Sequence, residues 1–147
     1  MCFVCGRDNP VGLKLHFFEE PEDQRVRADF EVPDAYQGYP GIVHGGIVST
    51  ILDEVSGRAV MMASGEERLF ATLQLTVRFH RPTPTESPLA AYGWVEKDSG
   101  VGAKVAGEIQ LPDGTVTASS KSVLVDPPPA FKATWEEEKA FWQVKDE

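Results

Sequence analysis

Residues 45–63 form the one long helical pattern in the body of this 147-residue chain, and any fold it adopts has to cover that helix. Ile47, Val48, Ile51, Leu52, Val55, Ala59 and Met62 recur at the i, i+3, i+4 spacing of a single helix face. Pro40-Gly41 stops whatever comes before, His44-Gly45-Gly46 opens the run, and Ser64-Gly65 closes it. At about 100° per residue, Asp53 falls almost opposite the apolar stripe, beside Ser49 and Ser56. Glu54 lies on another flank, four residues before Arg58, the spacing of a helical ion pair. Gly57 inside the helix costs about 1 kcal/mol relative to alanine. That cost predicts a bulky neighbour close to this point, most simply a sheet.

The rest reads as strands. Residues 13–19 alternate, with Leu13, Leu15 and Phe17 set against Lys14, His16 and Phe18, and residues 25–32 alternate more cleanly. A polar loop joins them, so they pair as an antiparallel hairpin. Residues 34–41 are rich enough in turn formers to be irregular. After the helix, strands are expected from residue 70 to Arg81, over 89–97, over 102–111 and over 115–125, with Pro112-Asp113-Gly114 as a hairpin signal. In the first of these, Leu73, Leu75, Val77 and Phe79 alternate with Thr72, Gln74, Thr76 and Arg78. Two strands, a long helix and four strands make an α+β domain, one helix against an antiparallel sheet of about six strands. Residues 1–129 form this domain. Residues 130–147 form a tail with a short amphipathic helix anchored by Trp135, Ala140, Phe141 and Trp142.

A net charge of −9 argues against nonspecific nucleic-acid binding and against attraction to anionic membranes. No apolar run approaches the roughly 20 residues of a membrane span. The opening MCFVCGRDNP lacks the basic-then-apolar pattern of a signal peptide, so a cytoplasmic location is expected. Cys2 and Cys5 form a lone C-x-x-C, half of a structural zinc site. Two packed thiols near the first strand are the simplest reading, and a zinc shared with His16 or a second subunit is the alternative. No nucleophile elbow, P-loop or dinucleotide fingerprint is present.

Several pieces then fall in a familiar order: Cys-x-x-Cys-Gly with Asn9-Pro10-x-Gly12-Leu13, His44-Gly45-Gly46, Leu52-Asp53-Glu54, and Phe79-His80-Arg81-Pro82. In this order the chain resembles the hotdog-fold thioesterases of the PaaI type over roughly residues 1–126. The resemblance implies hydrolysis of acyl-CoA at a dimer interface, in a homodimer or dimer of dimers, with no metal or redox cofactor. It places the family's carboxylate on Asp53, as nucleophile or general base. The oxyanion donor falls on the backbone N–H of Gly45 or Gly46, after His44. A hydroxyl reaching over from the partner's strand falls on Thr72. Many relatives carry an asparagine before His-Gly-Gly; here that loop reads Tyr36-Gln37-Gly38, so either Gln37 takes that role or no residue does.

The chemistry is sound on its own terms. Free N–H groups at a helix start, approached closely because glycine has no side chain, suit a developing oxyanion. A carboxylate withdrawn from water at an interface suits activation of water. Arg78, His80 and Arg81 form a local basic cluster with two readings, a site for CoA phosphates, for which Lys104 and Lys121 are further candidates, or a solvated sheet face. Met61, Met62, Phe70 and Tyr36 are candidates to line the acyl pocket. His44 is expected to position backbone rather than act as a base. Two alternatives stay open: a non-catalytic acyl-CoA binding or sensing module, and the dehydratase/hydratase branch of the same fold, for which His44 is misplaced.

Overall fold

The computed structural model describes residues 2–65 and 68–138, with backbone alone for 136–138. The strands are β1 (Phe18–Glu20), β2 (Arg25–Phe30), β3 (Gln37–Tyr39), β4 (Ile42–Val43), β5 (Ala71–Phe79), β6 (Leu89–Asp98), β7 (Gly102–Gln110) and β8 (Val116–Val125). The helices are α1 (Gly45–Ser64) and α2 (Pro129–Glu138). Six strands form one antiparallel sheet in the order β1-β2-β6-β7-β8-β5, so the strand that leaves the helix crosses to the far edge. Helix α1 packs against this sheet, as its single apolar stripe requires.

Val48, Ile51, Leu52, Val55 and Ala59 are fully buried, as the periodicity predicts. Val60 and Ser56 are buried as well, while Ile47 and Met62 are only half-buried or exposed to water along one side. Ser56 therefore does not share the open face with Asp53. Its hydroxyl donates to Leu52 O at 2.8 Å, which satisfies it within its own helix and lets it enter the core.

Three further sequence expectations change. Within the run 13–19 strand begins only at Phe18, in β1, and Lys14, with φ 55, breaks the extended stretch between Leu13 and Leu15. Leu13 and Leu15 N–H instead donate to Phe3 O and Val4 O, holding the N-terminal segment. Residues 34–41 are not all irregular: β3 and β4 pair across Pro40-Gly41, where Gly41 has φ 72, the left-handed residue that a type II turn needs after proline. Gly57 has no close neighbour, since a Cβ added there meets nothing within 4 Å. The close approach between helix and sheet comes instead from glycines on β6 and β7. A Cβ on Gly93 would lie 2.6 Å from Val55 O, and one on Gly107 would lie 3.4 Å from Val55 Cγ1.

The second helix spans Pro129–Glu138 and carries Trp135; Ala140, Phe141 and Trp142 lie outside the described residues.

Candidate active site

The start of α1 is fixed from several sides. His44 N–H donates to Tyr36 O at 2.9 Å, and Val43 N–H to Thr83 O at 2.9 Å. Gly38 lies against the same residue, 3.2 Å from His44 Cα when given a Cβ. The His44 ring is the N-cap: Nδ1 accepts from Gly46 N–H at 2.9 Å, while His44 O accepts from Ile47 and Val48 N–H. With Nδ1 spent in this way, the ring positions the helix start instead of acting as a base through that nitrogen. Of the two candidate oxyanion donors, Gly46 N–H is engaged. Gly45 N–H has no acceptor among the described residues, and its Cα faces Phe79, whose ring would be 3.3 Å from an added Cβ.

Gln37 Oε1 accepts from Gly41 N–H at 3.1 Å and so closes its own hairpin. Tyr36, a candidate pocket residue from the sequence, packs on the N-terminal segment instead: its hydroxyl donates to Val11 O at 2.6 Å and its ring meets Phe3 edge-on.

Two turns along α1, Asp53 Oδ1 accepts a hydrogen bond from Thr72 Oγ1 at 2.8 Å. Thr72 belongs to the same chain, so this contact needs no partner. A bulge in β5 creates it. Thr72 pairs with Leu124 and Gln74 with Val123, which leaves Leu73 as the extra residue, 69% exposed. The bulge puts Thr72 on the helix side of the sheet together with Leu75, Val77 and Phe79, a face that strict alternation assigns differently. Asp53, Gly57 and Met61 form one line along α1 and make the wall of a cleft of about 220 Å³. Phe70, Thr72 and Leu124 line it from the sheet, and Phe131 and Trp135 from α2. The open space at Gly57 is cleft volume. Met62 is not part of it.

The neighbouring carboxylate is tied up differently. Glu54 Oε1 accepts from Arg58 Nε at 3.1 Å, the expected i,i+4 pair, and burial pushes its carboxyl above the usual range against the pull of Arg58. Among the described residues no cation pairs with Asp53. Cys2 and Cys5 are free thiols beside Glu54, and Arg58 Nη2 donates to Cys5 Sγ at 3.0 Å. The Cys2 thiol is drawn down by its hydrogen bond with the Cys5 side chain, and Cys5 is pushed up by the same bond and by burial. His16 lies elsewhere, its Nδ1 3.5 Å from Arg7 Nη2.

Arg78, His80 and Arg81 are exposed at the end of β5. Arg78 pairs with Ser119 on the face away from α1, and His80 Nε2 meets Ser119 Oγ at 2.7 Å, so these two side chains share that face. Lys121 is bonded to Glu96.

The thioesterase superfamily model matches residues 40–118, just over half of the chain. Acyl-coenzyme A thioesterase THEM4 of Rattus norvegicus is 27% identical over 111 residues, covering 76% of this chain and 46% of its own. A solved thioesterase superfamily protein superposes with a TM-score of 0.77 at 34% identity, over 84% of this chain and 59% of that one. A Streptococcus mutans UA159 protein solved with acetyl CoA superposes with a TM-score of 0.69 at 21% identity, over 82% of this chain and 94% of its own, a likeness of fold. The chain spans about half the length of the curated relatives it matches.

Proposed function

The chain belongs to the thioesterase superfamily, and we propose that it hydrolyses acyl-CoA thioesters to free acid and CoA. The observation that carries this reading is the Asp53–Thr72 pair on the wall of the cleft. It is a carboxylate held by a hydroxyl and not by a cation, beside apolar side chains. Such a group keeps its negative charge available to attack a thioester carbonyl or to take a proton from water. Either route consumes one water and releases the CoA thiol. Gly45 N–H supplies the oxyanion donor.

Within one chain these two groups cannot serve the same carbonyl, because eight residues of helix separate them by roughly 12 Å. The edge strand supports a solution. Strand β5 has Thr72, beside Asp53, at one end and Phe79, beside Gly45, at the other. It is a sheet edge with Leu73 and Phe79 69% and 56% exposed. Antiparallel pairing of β5 with β5 of a second copy would set each Gly45 near the partner's Asp53. The working unit is then a homodimer, alone or doubled as a dimer of dimers. In it, Arg78, His80 and Arg81 stand at the Gly45 end of β5, and the CoA phosphates reach Arg78 and His80 by crossing the end of the strand onto the face away from α1. Gln37, at the entrance to α1, holds the loop that carries His44.

Release of free thiol from short, medium, long and aryl acyl-CoAs tests the activity. Turnover of at least one class is expected, and binding of every class with the thioester left intact would replace hydrolysis with a binding module. A smaller effect is expected at Thr72. A hydrogen bond to a charged group is worth about 1.5–3 kcal/mol, so Thr72→Val is expected to lower kcat about tenfold or more. The Tm should stay close to wild type, because the position is exposed.

A further inference from the structure

The hydrolysis proposed above leaves Cys2 and Cys5 unused, although the fold brings both to one point on the flank of α1. Cys2 Sγ, Cys5 Sγ and a carboxylate oxygen of Glu54 all lie within 4.8 Å of one another, and Cys2 Sγ is 3.8 Å from Glu54 Oε2. On a tetrahedral ion with the bond lengths of zinc, a sulfur and an oxygen ligand sit roughly 3.5 Å apart and two sulfurs roughly 3.8 Å apart. The three donors already have about the spacing of one coordination sphere. We propose that Cys2, Cys5 and Glu54 bind a thiophilic divalent cation of the zinc class, with water in the fourth position, and that this ion pins the N-terminal segment onto α1.

The surroundings suit that ligand set. Val4 and Cys5 N–H both point at Cys2 Sγ, at 3.3 and 3.4 Å, so the loop is already turned to present a thiolate. Two thiolates and one carboxylate carry three negative charges; a divalent ion leaves one, and Arg58 balances it. Arg58 takes the outer positions: Nη2 donates to Cys5 Sγ, and Nε donates to Glu54 Oε1, the oxygen that does not face Cys2. This holds Glu54 with Oε2 turned toward the sulfurs, as outer partners of metal ligands do. A disulfide between the two cysteines would set neutral sulfur between an arginine and a half-buried carboxylate, and these surroundings suit it less. Each thiol that binds releases its proton to solvent as the metal–sulfur bond forms. Because Glu54 and Arg58 also line the cleft, the ion would stiffen the helix segment that carries Asp53.

Cobalt(II) titrated into the reduced full-length protein tests the proposal. The expected result is thiolate-to-cobalt charge-transfer absorption that saturates at one ion per chain and is displaced by zinc. It should vanish in Cys2→Ala and in Cys5→Ala. Glu54→Gln is expected to weaken binding at least about tenfold, since even outer partners change metal affinity by 10–100-fold. Asp53→Asn should bind cobalt as wild type does, which separates this site from the proposed hydrolysis. Three results would overturn it: no charge-transfer band in the wild type, saturation at one ion per two chains, or an unchanged band in the Cys5 variant.

Discussion

Replacing Asp53 with asparagine is expected to lower acyl-CoA turnover by about 100-fold or more while fold and oligomer survive. General acid–base groups typically contribute 10²–10⁴-fold. The substitution is nearly isosteric, and the amide oxygen of the new side chain can still accept from Thr72 Oγ1, so the contact seen at 2.8 Å is kept and only the charge is lost. Nothing else is orphaned, because no cation among the described residues depends on Asp53. The same change at Glu54 would be harder to interpret, since it would remove the charge from the 3.1 Å ion pair with Arg58 and weaken a proposed metal ligand at the same time. The measurement is steady-state thiol release from the best acyl-CoA of the panel, with Tm and sedimentation as controls. Equal rates for variant and wild type would remove Asp53 from the chemistry and turn attention to Glu54. A loss in kcat with unchanged KM is the expected form, because the carboxylate acts on the reacting atoms more than on substrate binding.

The helix and the four strands after it are legible because their patterns have a period: about 3.6 from Val48 to Ala59 and 2 along β6, β7 and β8. Asp53 is legible for the same reason, as a polar residue off the apolar stripe. The departures all come from information that periodicity does not carry. A bulge consumes one residue and inverts every later parity, so alternation sets Thr72 on the face opposite to Leu75 and Val77 although it shares theirs. One left-handed residue, Lys14, interrupts a stretch whose side-chain alternation runs on past it, and β1 begins only at Phe18. Turn formers at 37–41 do make a turn, but the hydrogen bonds on either side of it depend on Tyr36 and Thr83, the latter far along the chain. The cysteine cluster needs a residue 49 positions from Cys5, and no spacing rule connects Cys5 to Glu54. Phe131 belongs to the same class, a cleft residue contributed from a segment that reads as a tail.

Gly57 and Gly93 make the second large expectation, in opposite directions. Both are open to the same explanation, a glycine kept for close packing, and only one fits it. A methyl group on Gly93 would lie 2.6 Å from Val55 O and 3.0 Å from Val55 C, backbone atoms in the middle of α1 that cannot rotate away. Gly93 also pairs directly with Gly107, so the two form a shallow seat on which Val55 rests. Gly93→Ala must lift the helix from this seat and loosen Ile51, Leu52, Val55 and Ala59 together. Overpacking in a core costs about 1–3 kcal/mol, and immovable backbone on the far side puts this case at about 3 kcal/mol. For a chain of this length that is a fall in Tm of roughly 6–12 °C. Gly57→Ala meets nothing within 4 Å and replaces glycine in a helix interior, so it is expected to raise stability by about 1 kcal/mol. Urea unfolding of both variants checks the pair. If Gly93→Ala were as stable as wild type, α1 could not sit as close to β6 and β7 as it does here, and the cleft along its opposite face would have to be rebuilt with it.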